Sequence, residues 1–268
     1  MSIIEFLQYS FIQKAFLAGA FISVLCSTLG IFLVLRKMSL IGDGLSHVSF
    51  GAIALGLFLG VYPIYVAVPV VVAGSIAILK ITEKAKVYGD AAIGIVSAAG
   101  IAGGVILASL ARGFNVDLFS YLFGNILSIS DIEVILSIAL SAAVFLTVYF
   151  FYYDFFSAAF DEEYAKTTGI KTSAVNALLS ILTAITVVLS IRIVGIMLVS
   201  ALLILPAASA LQLAKGFKAA IAIGAVVALL SLLLGIVISL LLNLPTGATI
   251  VIVNVMFFLI SLFYKKMV

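Results

Sequence analysis

Charge is scarce in this sequence. Only 9% of its 268 residues are Asp, Glu, Lys or Arg, and 65% are hydrophobic, whereas a soluble domain carries about a quarter charged residues. That leaves too little polar surface to cover a soluble globule, so lipid is the expected solvent. Cysteine and histidine occur once each, as Cys26 and His47. A lone cysteine closes no internal disulfide, and one histidine with one cysteine builds no closed structural zinc site within a chain. Cys26 lies in an apolar run and is expected to be a small buried hydrophobe. A glycine-rich phosphate loop ending in Lys-Ser/Thr is missing, so ATP hydrolysis is not expected on this chain. HExxH, CxxC and GxSxG are missing too, as are fixed-period repeats and low-complexity segments. The start of the chain has neither a basic segment nor a small-residue cleavage site after a short apolar core, so no cleaved signal is expected. Residues 2–14 alternate apolar and polar types, as in an interfacial helix. The net charge of +3 is small, and no nucleic-acid partner is expected.

What is present is a series of apolar runs. A crossing helix needs about 20 apolar residues. On that basis spans are expected near 15–35, 43–60, 63–80, 90–110, 131–153, 172–191, 193–213, 219–242 and 247–264, nine in all, with eight or ten as alternatives. Residues 113–130 are amphipathic and too short to cross; a surface or re-entrant helix on the outer side is expected there. The basic residues orient the chain. Arg36, Lys37, Lys80, Lys84, Lys86, Lys166, Lys171, Lys215, Lys218, Lys265 and Lys266 fall on one side, and Lys14, Arg112 and Arg192 on the other, 11 against 3 of the 14. The richer side is the cytoplasmic one. The N-terminus is then outside and the C-terminus inside, and an odd span count is favoured. The whole of 1–268 is expected to form one polytopic membrane domain.

Two stretches carry chemistry. Asp43 and His47 stand four residues apart at the start of the second span, which puts them on one helix face a turn apart. Carboxylate and imidazole so placed can share one divalent cation. Ionisable groups in a membrane cost about 2.5–3.5 kcal/mol even on lenient scales, so they face a cavity or a bundle interior. The plainer reading is a helix start, with Asp43 favoured by the dipole and His47 bonded to it. Ser46 and Ser49 flank the pair, as weak ligands or as helix-packing serines. The second stretch is 161–171, "DEEYAKTTGIK", the longest polar break on the inner side. Its three acids suit a helix N-terminus and Gly169 a helix end; it is either a solvated connector or a docking element for a soluble partner. In the fourth span, Gly94, Gly100, Gly103 and Gly104 allow close helix approach, and Asp90 is placed to cap it. Arg192 is expected to snorkel to the outer interface, and Pro206 to kink the seventh span.

"RKMSLIGDGLSHVSFGAIALG" resembles the most characteristic stretch of the membrane permeases of bacterial ABC importers for zinc, manganese or iron(II), an R-x-M-S-L-x-G-D-x-x-S-H pattern. "DLFSYLFGNIL" and "GIMLVSALLILPAASA" are similar to that family's outer segment and late signature. In "EYAKTTG", Glu163, Ala165 and Gly169 match the E-A-A-x-x-x-G docking loop of ABC permeases, with Tyr164 in place of the middle alanine. The resemblance implies an all-α membrane bundle like those of the cobalamin and siderophore importers (type II). It implies a homodimer with the pathway between the subunits, two copies of a cytoplasmic ATP-binding subunit seated on Asp161, Glu162, Glu163, Ala165 and Gly169, and an extracytoplasmic metal-binding protein. It places the chain in a bacterial or archaeal cytoplasmic membrane. No cofactor is permanently bound: the divalent metal is cargo, and ATP is used by the partner. Asp43 and His47 then line the path, and two copies offer four ligands to one ion. The competing class is a secondary, gradient-driven cation transporter with the pair as a proton relay; a structural membrane subunit is a third.

Overall fold

The computed structural model describes residues 9–85, 87–111 and 131–267, and its described residues form eleven helices and no strands. They are α1 (Ser10–Leu35), α2 (Ile41–Phe58), α3 (Pro63–Lys84), α4 (Gly89–Leu110), α5 (Asp131–Phe150), α6 (Tyr152–Phe160), α7 (Glu162–Thr167), α8 (Thr172–Val194), α9 (Ile196–Leu213), α10 (Phe217–Leu242) and α11 (Thr246–Met267). Helix is what lipid demands of an apolar chain, because each backbone N–H and C=O must be satisfied within the segment. Seven helices, α1–α4, α8, α10 and α11, are long and apolar enough to cross a membrane. An eighth candidate is α5 with α6, bent by 70° at their junction, whereas the apolar part of α9, Leu198–Leu213, is shorter. The expected segment at 113–130 lies outside the described residues, as do Lys86 and Arg112 and most of the expected interfacial helix; from Ser10 onward that helix is continuous with α1.

Helices α1, α2 and α8 form the centre, and α3 and α4 leave most of their surface uncovered. One hydrophobic cluster runs through the bundle from Ala15 to Ile250. Helices α2 and α4 meet backbone to backbone. An added Cβ on Gly100 would lie 2.7 Å from Val48 Cα, and Gly104 backs onto Phe50, while Gly94 and Gly103 face open space. The four glycines singled out in the sequence are therefore two pairs with different work. Asp90 is the second residue of α4 and not the residue before it; its carboxylate accepts from Ala91 N at 2.9 Å. Cys26 is fully buried, with Ser190 Oγ 3.7 Å from its Sγ.

The contacts at the two ends of α1 sort the bundle. Near its start, Lys14 pairs with Asp131 at 2.7 Å. At its far end, Arg36 pairs with Glu162 at 3.0 Å. The α8–α9 break is at Gly195, whose φ of +84° suits glycine. Ser190, just before it, touches Cys26, and Ser200, just after it, touches Asp43. The break therefore lies beside the interior of α1 and the beginning of α2, not level with the start of α1. This differs from the outer-face connection expected around Arg192. Helix α9, 18 residues long, packs against α1 where Gly30 meets the Leu203 carbonyl. Pro206 sits within α9, which continues as one helix across it.

Candidate metal pathway and docking helix

Helix α2 begins directly after a tight turn, and Asp43 lies in its first turn, where the positive end of the helix dipole favours a carboxylate. His47 follows one turn later. Its Nε2 lies 3.5 Å from Asp43 Oδ2, and the side chains are 32% and 52% exposed. Two ligands held tetrahedrally at about 2.1 Å from one ion stand about 3.4 Å apart, so the distance between the pair is compatible with joint ligation. The other carboxylate oxygen is engaged: Ser200 Oγ of α9 donates to Asp43 Oδ1 at 3.2 Å. That bond leaves Oδ2 facing the imidazole and orients the carboxylate, as supporting hydrogen bonds do around metal ligands.

Ser46 and Ser49 do not join the pair. Both are fully buried, and Ser46 Oγ donates to the Gly42 carbonyl one turn back at 2.8 Å. Ser49 Oγ has no hydrogen-bond partner among the described residues. Among the described residues, no group of three or more His, Cys, Asp and Glu side chains could hold a metal. A single chain thus presents two candidate ligands, both partly exposed. Ser200 escaped the reading from sequence, although it stands inside the quoted late signature; a lone serine in an apolar run was the available signal.

The polar break folds as the short helix α7. Asp161 is its N-cap, accepting from Tyr164 N at 2.9 Å. Gly169 ends it with φ +89° and open space where a Cβ would point. Glu162 is tied on both sides, to Arg36 at 3.0 Å and to Lys166 at 3.1 Å. Its carboxyl is held below the usual value: burial pushes it up, but the hydrogen bond from Lys166, the charges of Arg36 and Lys166 and a hydrogen bond with Thr172 outweigh this. Burial lowers the Arg36 pKa, opposed by the Glu162 charge. The five expected docking residues do not share one face. Ala165 is fully buried, so it anchors α7 inward, while Asp161, Glu163, Tyr164 and Gly169 are exposed.

Residues 8–265 match the model of the ABC 3 transport family. The manganese transport system membrane protein MntC of Halalkalibacterium halodurans is 32% identical, over 97% of this chain and 89% of that protein. The high-affinity zinc uptake system membrane protein ZnuB of Haemophilus influenzae is 31% identical, over 97% and 99%. The solved structure of PsaBC from Streptococcus pneumoniae in complex with Fab superposes with a TM-score of 0.87 at 32% identity, covering 96% of this chain and 93% of that one. With the family model spanning nearly its whole length, the chain is a multi-pass membrane protein that belongs to the ABC 3 transport family.

Proposed function

We propose that this chain is the membrane permease of an ABC importer for a divalent transition metal, with Asp43 and His47 contacting the ion in transit. The observation that carries the reading is the pair itself: carboxylate and imidazole 3.5 Å apart, the carboxylate steadied by Ser200, on a face left open by the single chain. A transport site must release its cargo, and two ligands per chain bind more weakly than a closed cage. Manganese, zinc and iron(II) all suit such N/O ligands. Membership of an ABC family favours this reading over a gradient-driven carrier.

In this reading two copies pair with the pathway between them, so that the exposed Asp43 and His47 are covered by water and protein and not by lipid. Two cytoplasmic ATP-binding subunits seat on α7, hydrolysis takes place there, and an extracytoplasmic protein delivers the ion. The chain acts as one permease domain over 1–268, of the cobalamin and siderophore importer type, with nine helical passes when α9 is counted. The α8–α9 pair supports an inner C-terminus. It enters beside Arg36, through Asn176, and leaves beside Val34 and Leu35, through Ala214 and Phe217. It therefore returns the chain to the end it came from, whatever depth Gly195 reaches.

The test is uptake of radiolabelled manganese, zinc and iron(II) into vesicles holding the assembled transporter. Asp43→Asn keeps the shape and removes the charge; His47→Ala removes the nitrogen ligand. Each abolishes uptake while membrane insertion and ATPase co-purification persist. Wild-type uptake by the double variant would show that the pair is only a helix start with a bonded neighbour.

A further inference from the structure

The far end of α1 is gripped by groups that hydropathy does not flag. Arg36 caps the helix and its side chain is 9% exposed. Its Nη2 donates to Glu162 Oε2 at 3.0 Å, and its Nη1 donates to Asn176 Oδ1. Glu162 opens α7, and Asn176 lies in the second turn of α8. One turn earlier on α1, the buried Phe32 ring sits 5.5 Å from that of Phe155 on α6 and 5.2 Å from that of Phe217 at the start of α10.

The link from here to Asp43 is short and tied. Lys37 takes a φ of +58°, Met38 N donates to the Leu33 carbonyl at 2.9 Å, and Ile41 N donates to the Met38 carbonyl at 3.1 Å. Both arms of the turn pack on one residue of α9: neither Gly30 nor Gly42 has room for a Cβ against Leu203. Ser200, one turn before Leu203, is the residue that holds Asp43. The end of α1, the turn, the start of α2 and the early part of α9 therefore form one packed block with little slack.

We propose that Arg36 is a positioning residue that couples displacement of α7 to the Asp43–His47 pair. The proposal rests on the reading of α7 as the ATPase seat. Its physical basis is the cost of stranding a buried guanidinium. If α7 moved away alone, Arg36 would lose its charged partner Glu162 and keep only the neutral Asn176. The cheaper motion carries Arg36 along, and with it the α1–α2 turn. Arginine is suited to this because its planar fork engages acceptors on two elements at once, which a lysine ammonium on a flexible stem does less well.

The experiment uses the full transporter in proteoliposomes, measuring ATPase co-purification, ATP hydrolysis and uptake of manganese and zinc. Arg36→Gln and Asn176→Ala are expected to retain the ATPase and its hydrolysis, yet to transport less metal per ATP. Coupling energies between sites correspond to roughly 5–150-fold, so the ratio should fall about tenfold or more in Arg36→Gln. Arg36→Lys, which keeps the charge, should recover part of it. An unchanged ratio in Arg36→Gln overturns the proposal. So does loss of the ATPase in both Arg36→Gln and Asn176→Ala, which would make the cluster a static brace. The docking reading is separately exposed by the outward-facing Tyr164→Ala: full ATPase retention there removes the premise, whatever Arg36 does.

Discussion

Replacing Gly100 by alanine adds one methyl group where α4 meets the backbone of α2. The new Cβ would lie 2.7 Å from Val48 Cα and 2.9 Å from both His47 O and Val48 N. Ordinary contact begins at 3.4 Å, so the helices must part by 3.4 − 2.7 = 0.7 Å, and no flexible side chain is available to yield instead. Overpacking of this kind costs about 1–3 kcal/mol. Alanine returns about 1 kcal/mol of helix propensity. Gly103→Ala, three residues along the same helix, meets nothing within 4 Å and collects the propensity gain without the clash. The propensity gain cancels between the two variants, so their stabilities should differ by about 1–3 kcal/mol, with Gly100→Ala the weaker. Thermal unfolding of the purified permease in detergent ranks them. Metal uptake should separate them further, because the backbone pushed aside is that of His47 itself. Equal midpoints and equal uptake for Gly100→Ala and Gly103→Ala would refute both the packing argument and its link to the pair.

Single cysteines at the exposed Lys84 and Lys215 should label only from the cytoplasm, and one at Leu244 only from outside; the adjacent Asn243 suits a substitution less, because its φ of +52° disfavours most side chains. Labelling of Lys84 and Leu244 positions from one side would overturn the orientation drawn from the basic residues. Tyr164, 63% exposed on α7, should act as an anchor for the ATPase, so Tyr164→Ala should weaken the complex by about 2 kcal/mol, roughly 30-fold in affinity; pull-down with graded ATPase concentrations measures it. Because the folded-state pKa of Glu162 is depressed below its ordinary 4.5, its stabilising contribution is complete above that value and is lost as pH falls through the folded pKa. The stability gap between wild type and Glu162→Gln should therefore hold constant above pH 4.5 and close below it, and a gap that widens on acidification would reverse the sign of the argument.

The apolar runs determined where helices form. Six of the nine expected spans lie within single helices, α1, α3, α4, α8, α10 and α11; 43–60 overruns the end of α2, 131–153 runs past the bend into α6, and the run at 193–213 became α9 from Ile196, because a backbone in lipid must bond within its own segment. The pairing of Asp43 with His47 was legible for the same local reason: a spacing of four residues is one helical turn. The capped helix at Asp161 was legible from its acids and its closing glycine. Tertiary packing decided the rest. Gly100 and Gly94 look alike in sequence, yet only Gly100 meets a backbone. Ala165 looked like a docking residue and turned inward, while Tyr164 beside it faces out. Ser200 finds Asp43 across 157 residues of chain, and Arg36 finds Glu162 across 126. Hydropathy and helical period describe each segment against its solvent. Depth, tilt and crossing point depend on how two surfaces interlock, and that information belongs to the pair of helices, not to either one.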